Sequence, residues 1–395
     1  MYLIRAATAK DMQNVEKLTE LVFNDTFVRD VIEKEEEFDF ENARLLFDES
    51  GKLASTVFII PRKMYFEGKI LELGGIGGVA TDPAFRGKGY ANFLMQDAIL
   101  NMKKRKFDLS ILYPFKVEYY AKFGYRDINI PFGVIKTDID LKISNKYEIR
   151  DADLLEKKDI KELERIYNEF CENLIGPIKR TKIYWQQKFE KNKKLREKFF
   201  IARKNNEICG YLILDRIKLN WQDETFKLKI TECIWDKKEI EAKDDLVKAA
   251  IIYAARQGFK KLFFDKFQGF DIEFAKEPDE NDFTEHKNLK YIKMYKILNW
   301  TSLLNKIKPV FNNRLNGKNF DKVIKIIHSE NDLQGKIKIM FLKTGNILEM
   351  DEGIFIKMLL GLKKYEGVNL QSEEIELLHF LFPEKLPVFF DFDYL

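Results

Sequence analysis

The stretch of the sequence best suited to chemistry is rich in glycine and matches a phosphate-binding site. Four glycines fall within Gly74–Gly78, and after a turn at Pro83 the segment Arg86–Ala91 begins a predicted helix. Small residues at a helix N-terminus leave backbone N–H groups uncovered, where partial positive charge accumulates. Glycine also allows close approach to the backbone, and Arg86 and Lys88 add formal charge. The stretch predicts a site for a pyrophosphate.

This stretch differs from the two commonest nucleotide-binding motifs. The sequence has no GxxxxGK[ST] loop, and no GxGxxG follows a first strand. The alternative interpretation is a tight strand-to-helix turn whose glycines serve only the backbone.

The acid and base of any reaction are expected to be tyrosines or carboxylates. The only histidines are His286, His328 and His379, all in the C-terminal third and none in a metal-binding spacing. The three cysteines, Cys171, Cys209 and Cys233, also lack metal-ligand spacing. A histidine-based triad and a metal site are therefore not expected. Alternatively, the substrate itself would supply the acid and base.

The order of predicted elements indicates an α+β fold with mixed sheets. The sequence of Tyr2–Ala7 returns in Tyr147–Ala152, a shift of 145 residues, and each copy leads from a short strand into an amphipathic helix. Turns are predicted at Asp48–Gly51 and at Glu67-Gly68. After Trp300 the pattern changes, with a helix predicted over 320–327, strands near 336–343 and 346–350, and a helix over 372–382. We therefore predict domains at 1–145, 146–299 and 300–395.

Two motifs give the sequence a resemblance to a known family. Arg86-x-x-Gly89-x-Ala91 after Val79-Ala80-Thr81-Asp82-Pro83 resembles the acetyl-CoA signature of the GNAT N-acetyltransferases. Tyr120-x-x-Phe123-Gly124-Tyr125 resembles the segment that these enzymes carry beside the thiol of the cofactor. With the two further domains, the chain resembles the enhanced-intracellular-survival (Eis) acetyltransferases along its full length: two tandem GNAT domains, then a sterol-carrier-protein-like domain.

The resemblance implies a role for each candidate residue. Tyr120 corresponds to the general acid, with Tyr119 as the competing assignment, and the carboxylate of the last residue, Leu395, corresponds to the general base. Asp25, Asp391 and Asp393 are the expected contacts of a cationic amine. Acetyl-CoA is expected to contact Gly78, Val79, Ala80, Arg86, Gly87, Lys88, Gly89, Tyr90 and Ala91. The second GNAT-like domain is expected not to bind it, because Asp236–Lys243 has no glycine and three carboxylates.

Composition limits the partners. The chain has 395 residues, 68 Lys plus Arg against 64 Asp plus Glu, and a net charge of +4, which does not favour nucleic acid. No apolar run approaches the length of a membrane helix, and no secretory signal is expected, so we expect a cytoplasmic protein. The resemblance implies a homo-oligomer, hexameric in relatives.

The prediction that follows is transfer of an acetyl group to a primary amine, an aminoglycoside or polyamine-like molecule, in a ternary complex. Two alternatives stay open. One is a lipid or acyl-CoA binding or scaffold protein that uses the third domain. The other is a tandem-GNAT transferase with a different acyl donor.

Overall fold

The computed structural model describes most of the chain, namely residues 2–23, 39–138, 140–152, 157–185, 197–218, 226–282, 292–317, 319–328, 336–363, 365 and 370–390. These residues divide into two compact units. The first contains those of 1–129 and 292–384, and the second contains those of 130–291 and 385–390.

The first unit is built on a mixed sheet in the order β1-β2-β3-β4-β5-β15-β6. Its strands are β1 (Leu3–Ala6), β2 (Ala43–Phe47), β3 (Leu53–Phe66), β4 (Lys69–Thr81), β5 (Leu109–Leu112), β6 (Arg126–Ile128) and β15 (Lys293–Ile297). Its first helices are α1 (Met12–Phe23), α2 (Tyr90–Lys104) and α3 (Val117–Ala121). The pair β4–β5 is parallel, and the other neighbours in this order are antiparallel.

Helices α1 and α2 each bury an apolar stripe in this unit. Val15 and Leu18 of α1 belong to one apolar core, whereas Leu94, Met95 and Ala98 of α2 belong to another. The predicted turn at Glu67-Gly68 is confirmed, because both residues have positive φ, 43° and 75°, as a two-residue hairpin requires. The two halves of the long β3–β4 hairpin are therefore held in a fixed register.

The second unit repeats the first with a seven-stranded sheet in the order β14-β7-β13-β12-β11-β10-β8. The strands of this sheet are β7 (Phe132–Lys136), β8 (Glu148–Asp151), β10 (Lys198–Lys204), β11 (Glu207–Lys218), β12 (Phe226–Trp235), β13 (Lys261–Asp265) and β14 (Ala275–Lys276). The unit also contains a strand outside this sheet, β9 (Ile175–Ile178), and the helices α4 (Lys157–Cys171) and α5 (Glu241–Arg256). The shift of 145 residues carries the start of β1 onto that of β8 and the start of α1 onto that of α4. The predicted internal repeat is confirmed.

The division of the chain differs from the sequence-based boundaries at 145/146 and 299/300. Strand β7 precedes residue 145, yet it pairs with β13 of the second unit. Strand β15 precedes residue 299, yet it lies between β5 and β6 of the first unit. Strands β7 and β15 therefore lie in sheets that sequence order alone would not assign to them.

The residues after β15 form a small three-stranded sheet with helices, within the first unit. The strands are β16 (Ile324–His328), β17 (Lys336–Phe341) and β18 (Ile347–Asp351), and the helices are α6 (Trp300–Arg314), α7 (Glu352–Leu359) and α8 (Ser372–Leu381). The predicted helix over 320–327 is wrong. Only Phe320–Lys322 makes a 3-10 turn, and Ile324–His328 pairs with β17, as its β-branched residues favour.

Candidate active site

Strands β4 and β5 separate at one end and leave a crevice between them. Their last paired residues are Ile76 and Leu112, but β4 continues to Thr81. Beyond Ile76, no described strand pairs with β4 on that side. Two residues after Leu112 stands Pro114, which has no N–H to continue a ladder. We call this opening, beside Gly77–Thr81, the β4–β5 crevice.

A β-bulge in β4 lies at this crevice. Thr56 pairs with Ala80 and Phe58 pairs with Gly77, so that Gly78 and Val79 together face one residue of β3. Gly78 has φ of 55°, and its carbonyl accepts a 3.0 Å hydrogen bond from Thr56 Oγ1. A bulge leaves one residue unpaired in the ladder and turns its backbone away from the partner strand. The three residues predicted to bind cofactor in β4, Gly78–Ala80, therefore form or adjoin the bulge.

The glycine loop, Arg86–Ala91, presents uncovered backbone N–H groups at the start of α2. Gly87 and Gly89 have φ of 81° and 77°, and the helix begins at Tyr90. The Arg86 N–H donates to the Pro83 carbonyl at 3.4 Å. In the part of the chain that the structure describes, no acceptor faces the N–H groups of residues 87–91. Such a run of free donors at a helix N-terminus binds anions.

Positive charge surrounds the glycine loop. Lys52 and Lys88 lie on the ring of Phe85, 5.0 and 5.1 Å from its centroid. The Asp82 carboxylate, just before the loop, accepts a 2.8 Å hydrogen bond from Ala84 N–H and lies 3.2 Å from the Lys52 ammonium. The hydrogen bond from Ala84 is the main reason why the pKa of Asp82 is lowered. Sequence reasoning missed Lys52, although its place in the β2–β3 turn and its charge were visible.

Not every glycine of the stretch serves the crevice. A Cβ on Gly74 would lie 2.3 Å from Met102 Sδ of α2. Gly74 therefore permits close packing of that helix, whereas Gly78, Gly87 and Gly89 have positive φ at the candidate site.

One apolar core brings the separate site elements together. Tyr120 is a buried member of the core that contains Leu94 and Met95, and Val79, Tyr90 and Tyr119 pack against it. The bulge in β4, the start of α2 and helix α3 thus meet around the same set of side chains.

Tyr120 is 3% exposed and lies in an aromatic cage. Its ring stands edge-on to those of Phe115, Tyr119 and Tyr125, with centroids 5.5, 5.0 and 6.4 Å away. Burial, the main cause, raises its pKa, and the neighbouring phenols Tyr119 and Tyr125 add to the effect. The hydroxyl makes no hydrogen bond to any described residue. At neutral pH Tyr120 is therefore a protonated phenol whose proton is not committed to a protein acceptor.

The two neighbouring tyrosines differ from Tyr120. Burial raises the pKa of Tyr119 to about 12, and its buried hydroxyl has no partner among the described residues. Tyr125 is completely buried, and its hydroxyl is bonded to Ser110 Oγ at 2.7 Å, while Ser110 donates to the Gly74 carbonyl at 2.7 Å. Tyr125 thus belongs to the structural core.

Replacing Tyr125 by Phe is expected to lower stability rather than rate. The change removes one buried hydrogen bond, so the free energy of unfolding should fall by about 1 kcal/mol, while kcat should stay within about twofold. Denaturant unfolding and steady-state kinetics measure the two quantities. Tyr119→Phe, which removes a hydroxyl without a described partner, serves as the control and should cost no stability. A large loss of kcat in Tyr125→Phe would place its phenol in the chemistry.

Four predicted residues cannot be placed. Leu395, Asp25, Asp391 and Asp393 lie outside the described residues, so their roles stay predictions.

The glycine loop and the bulge coincide with a known domain. Residues 3–128 match the family described as "Acetyltransferase (GNAT) domain". Residues 3–128 thus form a GNAT acetyltransferase domain. Among curated proteins, none matches the chain. The mixed sheets and the fold class predicted from the sequence are confirmed.

Three solved structures share the fold over nearly the whole length of this chain. A GCN5-related N-acetyltransferase from Anabaena variabilis is 16% identical, with a TM-score of 0.67, over 99% of this chain and 100% of that one. A probable N-acyltransferase from Enterococcus faecalis is 17% identical, with a TM-score of 0.67 and 99% of each chain covered. Eis1 from Mycobacterium abscessus is 11% identical, with a TM-score of 0.61, over 98% of this chain and 99% of that one.

Two kinds of feature are absent from the described ranges. No helix there is long and apolar enough to span a bilayer. No group of three or more His, Cys, Asp or Glu side chains there is placed to hold a metal ion.

Proposed function

We propose that the protein transfers an acetyl group from acetyl-CoA to a primary amine, and that it is of the Eis type. The observation that carries this proposal is the pairing of an open β4–β5 crevice with the uncovered N–H groups of the glycine loop. Similarity in fold to Eis1 over 98% of the chain supports the type. The proposed acceptor class is an aminoglycoside or a polyamine-like amine, and a homo-oligomer is the proposed assembly.

The residues present fit acetyl-CoA. The N–H groups of residues 87–91 would bind its pyrophosphate, with Arg86 and Lys88 adding charge. No atom lies within 4 Å of a Cβ built on Gly87, so the space in front of the loop is open. The bulge at Gly78 and Val79 would offer a backbone N–H to the carbonyl oxygen of the thioester. When bound, acetyl-CoA supplies an activated acetyl group and a thiolate leaving group.

Tyr120 is the proposed general acid. A general acid must begin the reaction protonated, and the raised pKa of Tyr120 ensures this at neutral pH. Its hydroxyl has no described acceptor to give up before it donates to the departing sulfur.

The proposed general base is the α-carboxylate of Leu395, which would take the proton lost by the attacking amine. Asp25, Asp391 and Asp393 are proposed to attract the cationic acceptor. These four assignments rest on the resemblance.

Direct transfer is favoured over an acetyl-cysteine route. All three cysteines are buried, and burial raises the pKa of Cys209 and Cys233. A nucleophilic cysteine needs a lowered pKa and access to substrate, so the described thiols are unsuited to the role.

The test is a screen of amines with acetyl-CoA, following the release of free thiol. We expect turnover with at least one aminoglycoside or polyamine. A parallel series with longer acyl-CoA donors tests the alternative donor, and saturable lipid binding without any turnover would favour the scaffold alternative.

Extending the chain beyond Leu395 is expected to lower activity. An uncleaved tag displaces the terminal carboxylate and replaces it by an amide, so kcat should fall at least about tenfold with little change in the affinity for acetyl-CoA. Cleaving the tag back to Leu395 is the matched control and should restore kcat. Full activity of the tagged enzyme would remove Leu395 from the mechanism.

A further inference from the structure

The second unit contains a crevice that corresponds to the β4–β5 crevice. Strands β12 and β13 are parallel, and their last paired residues are Ile230 and Phe264. A bulge follows immediately, because Ile213 pairs with Glu232 and Leu214 with Ile230, which leaves Thr231 extra. Strand β12 continues to Trp235. Parallel pairing, bulge and separation thus occur in the same order as in β4 and β5.

Residues from the end of the chain occupy this β12–β13 crevice. Pro387–Phe390 line one cavity together with Ile230–Cys233 of β12 and with Phe267 and Phe270, which follow β13. Val388, Phe389 and Phe390 are 1%, 4% and 3% exposed. We call Leu386–Phe390 the tail segment.

The backbone of the tail segment makes hydrogen bonds to two other segments of the second unit. The Val388 N–H donates to the carbonyl of Ile175 in β9 at 2.8 Å, and the carbonyl of Leu386 accepts from Gln268 N–H at 3.1 Å. The ring of Phe390 stands edge-on to Phe267 at 6.4 Å and tilted against Tyr167 at 5.9 Å. Main-chain bonds and ring packing together fix the segment as an ordered part of the second unit.

Gly176 has no side chain, and this allows the tail segment to pack closely against its backbone. Its φ is 108°, and a Cβ there would lie 2.5 Å from the Val388 carbonyl oxygen and 2.9 Å from the Phe389 ring. Any other residue would therefore meet the backbone of the tail, and not the end of a flexible side chain.

The N-terminus of α5 differs from that of α2 in its hydrogen-bonded N–H groups and in its charge. The N–H groups of Ala242 and Lys243 donate to the carbonyls of Glu239 and Ile240, at 2.9 and 3.2 Å. Glu241 and Asp244 place carboxylates in the first turn. At this helix N-terminus two N–H groups are already bonded and the first turn carries negative charge, so it does not favour a pyrophosphate.

We propose that the tail segment is an internal ligand of the second unit: it fills the β12–β13 crevice in place of a cofactor and so anchors the C-terminal end of the chain. Gly176 and Val388 are positioning residues in this arrangement. In this arrangement the β12–β13 crevice holds the tail segment and does not bind a cofactor.

Anchoring limits where the terminal carboxylate can be. Leu395, whose carboxylate is the proposed base, lies five residues after Phe390, and five residues span at most about 18 Å. Release of the tail from residue 385 onward would roughly double the free length, which lowers the effective concentration of the carboxylate about threefold by the −3/2 power dependence. This consequence for catalysis rests on the proposed function.

The test compares Gly176→Ala with Gly269→Ala. Gly269 has a φ of 83° and no atom within 4 Å of an added Cβ, so its substitution brings backbone strain without contact with the tail. In Gly176→Ala we expect faster amide hydrogen exchange over 386–390. Because Cys233 lines the cavity and is fully buried, we also expect its labelling by a thiol reagent, mapped by mass spectrometry, to rise at least about tenfold.

The kinetic readout separates positioning from general damage. In Gly176→Ala, kcat should fall about threefold or more, with the KM for acetyl-CoA unchanged, whereas Gly269→Ala should keep both. If Gly176→Ala does not fold, Phe390→Ala, which removes the ring contacts with Phe267 and Tyr167, takes its place with the same readouts.

Two results would overturn the proposal. One is equal exchange and equal Cys233 labelling in the variant and in Gly269→Ala. The other is binding of two acetyl-CoA molecules per chain, since a filled crevice leaves one site. Absence of turnover in the wild-type enzyme would refute the proposed function instead, and exchange and labelling would still decide whether the tail is anchored.

Discussion

Tyr120→Phe is expected to lower kcat by about 10²- to 10³-fold and to leave the affinity for acetyl-CoA within about twofold. The size follows from the usual contribution of a positioned general acid. The ring stays, so the aromatic packing with Phe115, Tyr119 and Tyr125 is preserved. Because the hydroxyl has no described hydrogen-bond partner, its removal leaves no buried group unsatisfied. Stopped-flow or steady-state kinetics with calorimetric titration of acetyl-CoA measure both effects.

Tyr119→Phe is the matched control for this variant. Its hydroxyl is buried and has no described partner, it lies on the same helix, and its ring likewise contacts Phe115. We expect kcat to change less than about threefold. A reversed outcome, with the loss in Tyr119→Phe, would transfer the acid role to the neighbouring phenol, and no loss in either would remove tyrosine from proton donation.

The pH dependence distinguishes a proton donor from a packing residue. Burial raises the pKa of Tyr120 above its usual value of about 10. The acid form is therefore present throughout the neutral range, and kcat of the wild-type enzyme should show no decline from ionisation of Tyr120 below about pH 10. A decline centred near pH 7 to 8 would have to come from another group.

Local signals in the sequence were sufficient to predict the glycine loop and the start of α2. Glycine at positions 87 and 89 before an amphipathic helix predicted the loop, and α2 begins at Tyr90, within the segment Arg86–Ala91 that was predicted to open a helix. Capping and turn chemistry depend on neighbours in sequence, so such features can be derived from a single chain. The hairpin at Glu67-Gly68 was predictable for the same reason.

Features that depend on distant partners could not be derived. The placement of β15 between β5 and β6 is a choice of strand partner, and nothing within Lys293–Ile297 specifies it. The bulge at Gly78 is a change of register against β3, visible only when both strands are placed. Gly74 was grouped with the site because it is a glycine in the glycine-rich stretch. Its role depends on its packing against Met102 of α2, which the local sequence does not show.

Gly89→Ala is expected to weaken acetyl-CoA binding about 100-fold while the protein stays folded. An added Cβ would meet only the Phe93 ring, at 3.9 Å, so nothing inside the protein obstructs it. It would instead enter the open space before the N–H groups of residues 87–91, where the pyrophosphate is proposed to bind. Losing two hydrogen bonds to a charged group at about 1.5 kcal/mol each gives about 3 kcal/mol, which is about 100-fold in affinity.

Gly51→Ala is the control that isolates the ligand effect. Gly51 has φ of 79° against 77° for Gly89, and no atom lies within 4 Å of its added Cβ. Both substitutions therefore bring the same left-handed backbone strain, about 1 kcal/mol of stability. Calorimetric titration should give normal acetyl-CoA affinity for Gly51→Ala and the loss only for Gly89→Ala. The two variants have the same backbone strain, and only Gly89→Ala places a Cβ at the glycine loop. Equal acetyl-CoA affinities in the two variants would therefore mean that the phosphates bind elsewhere.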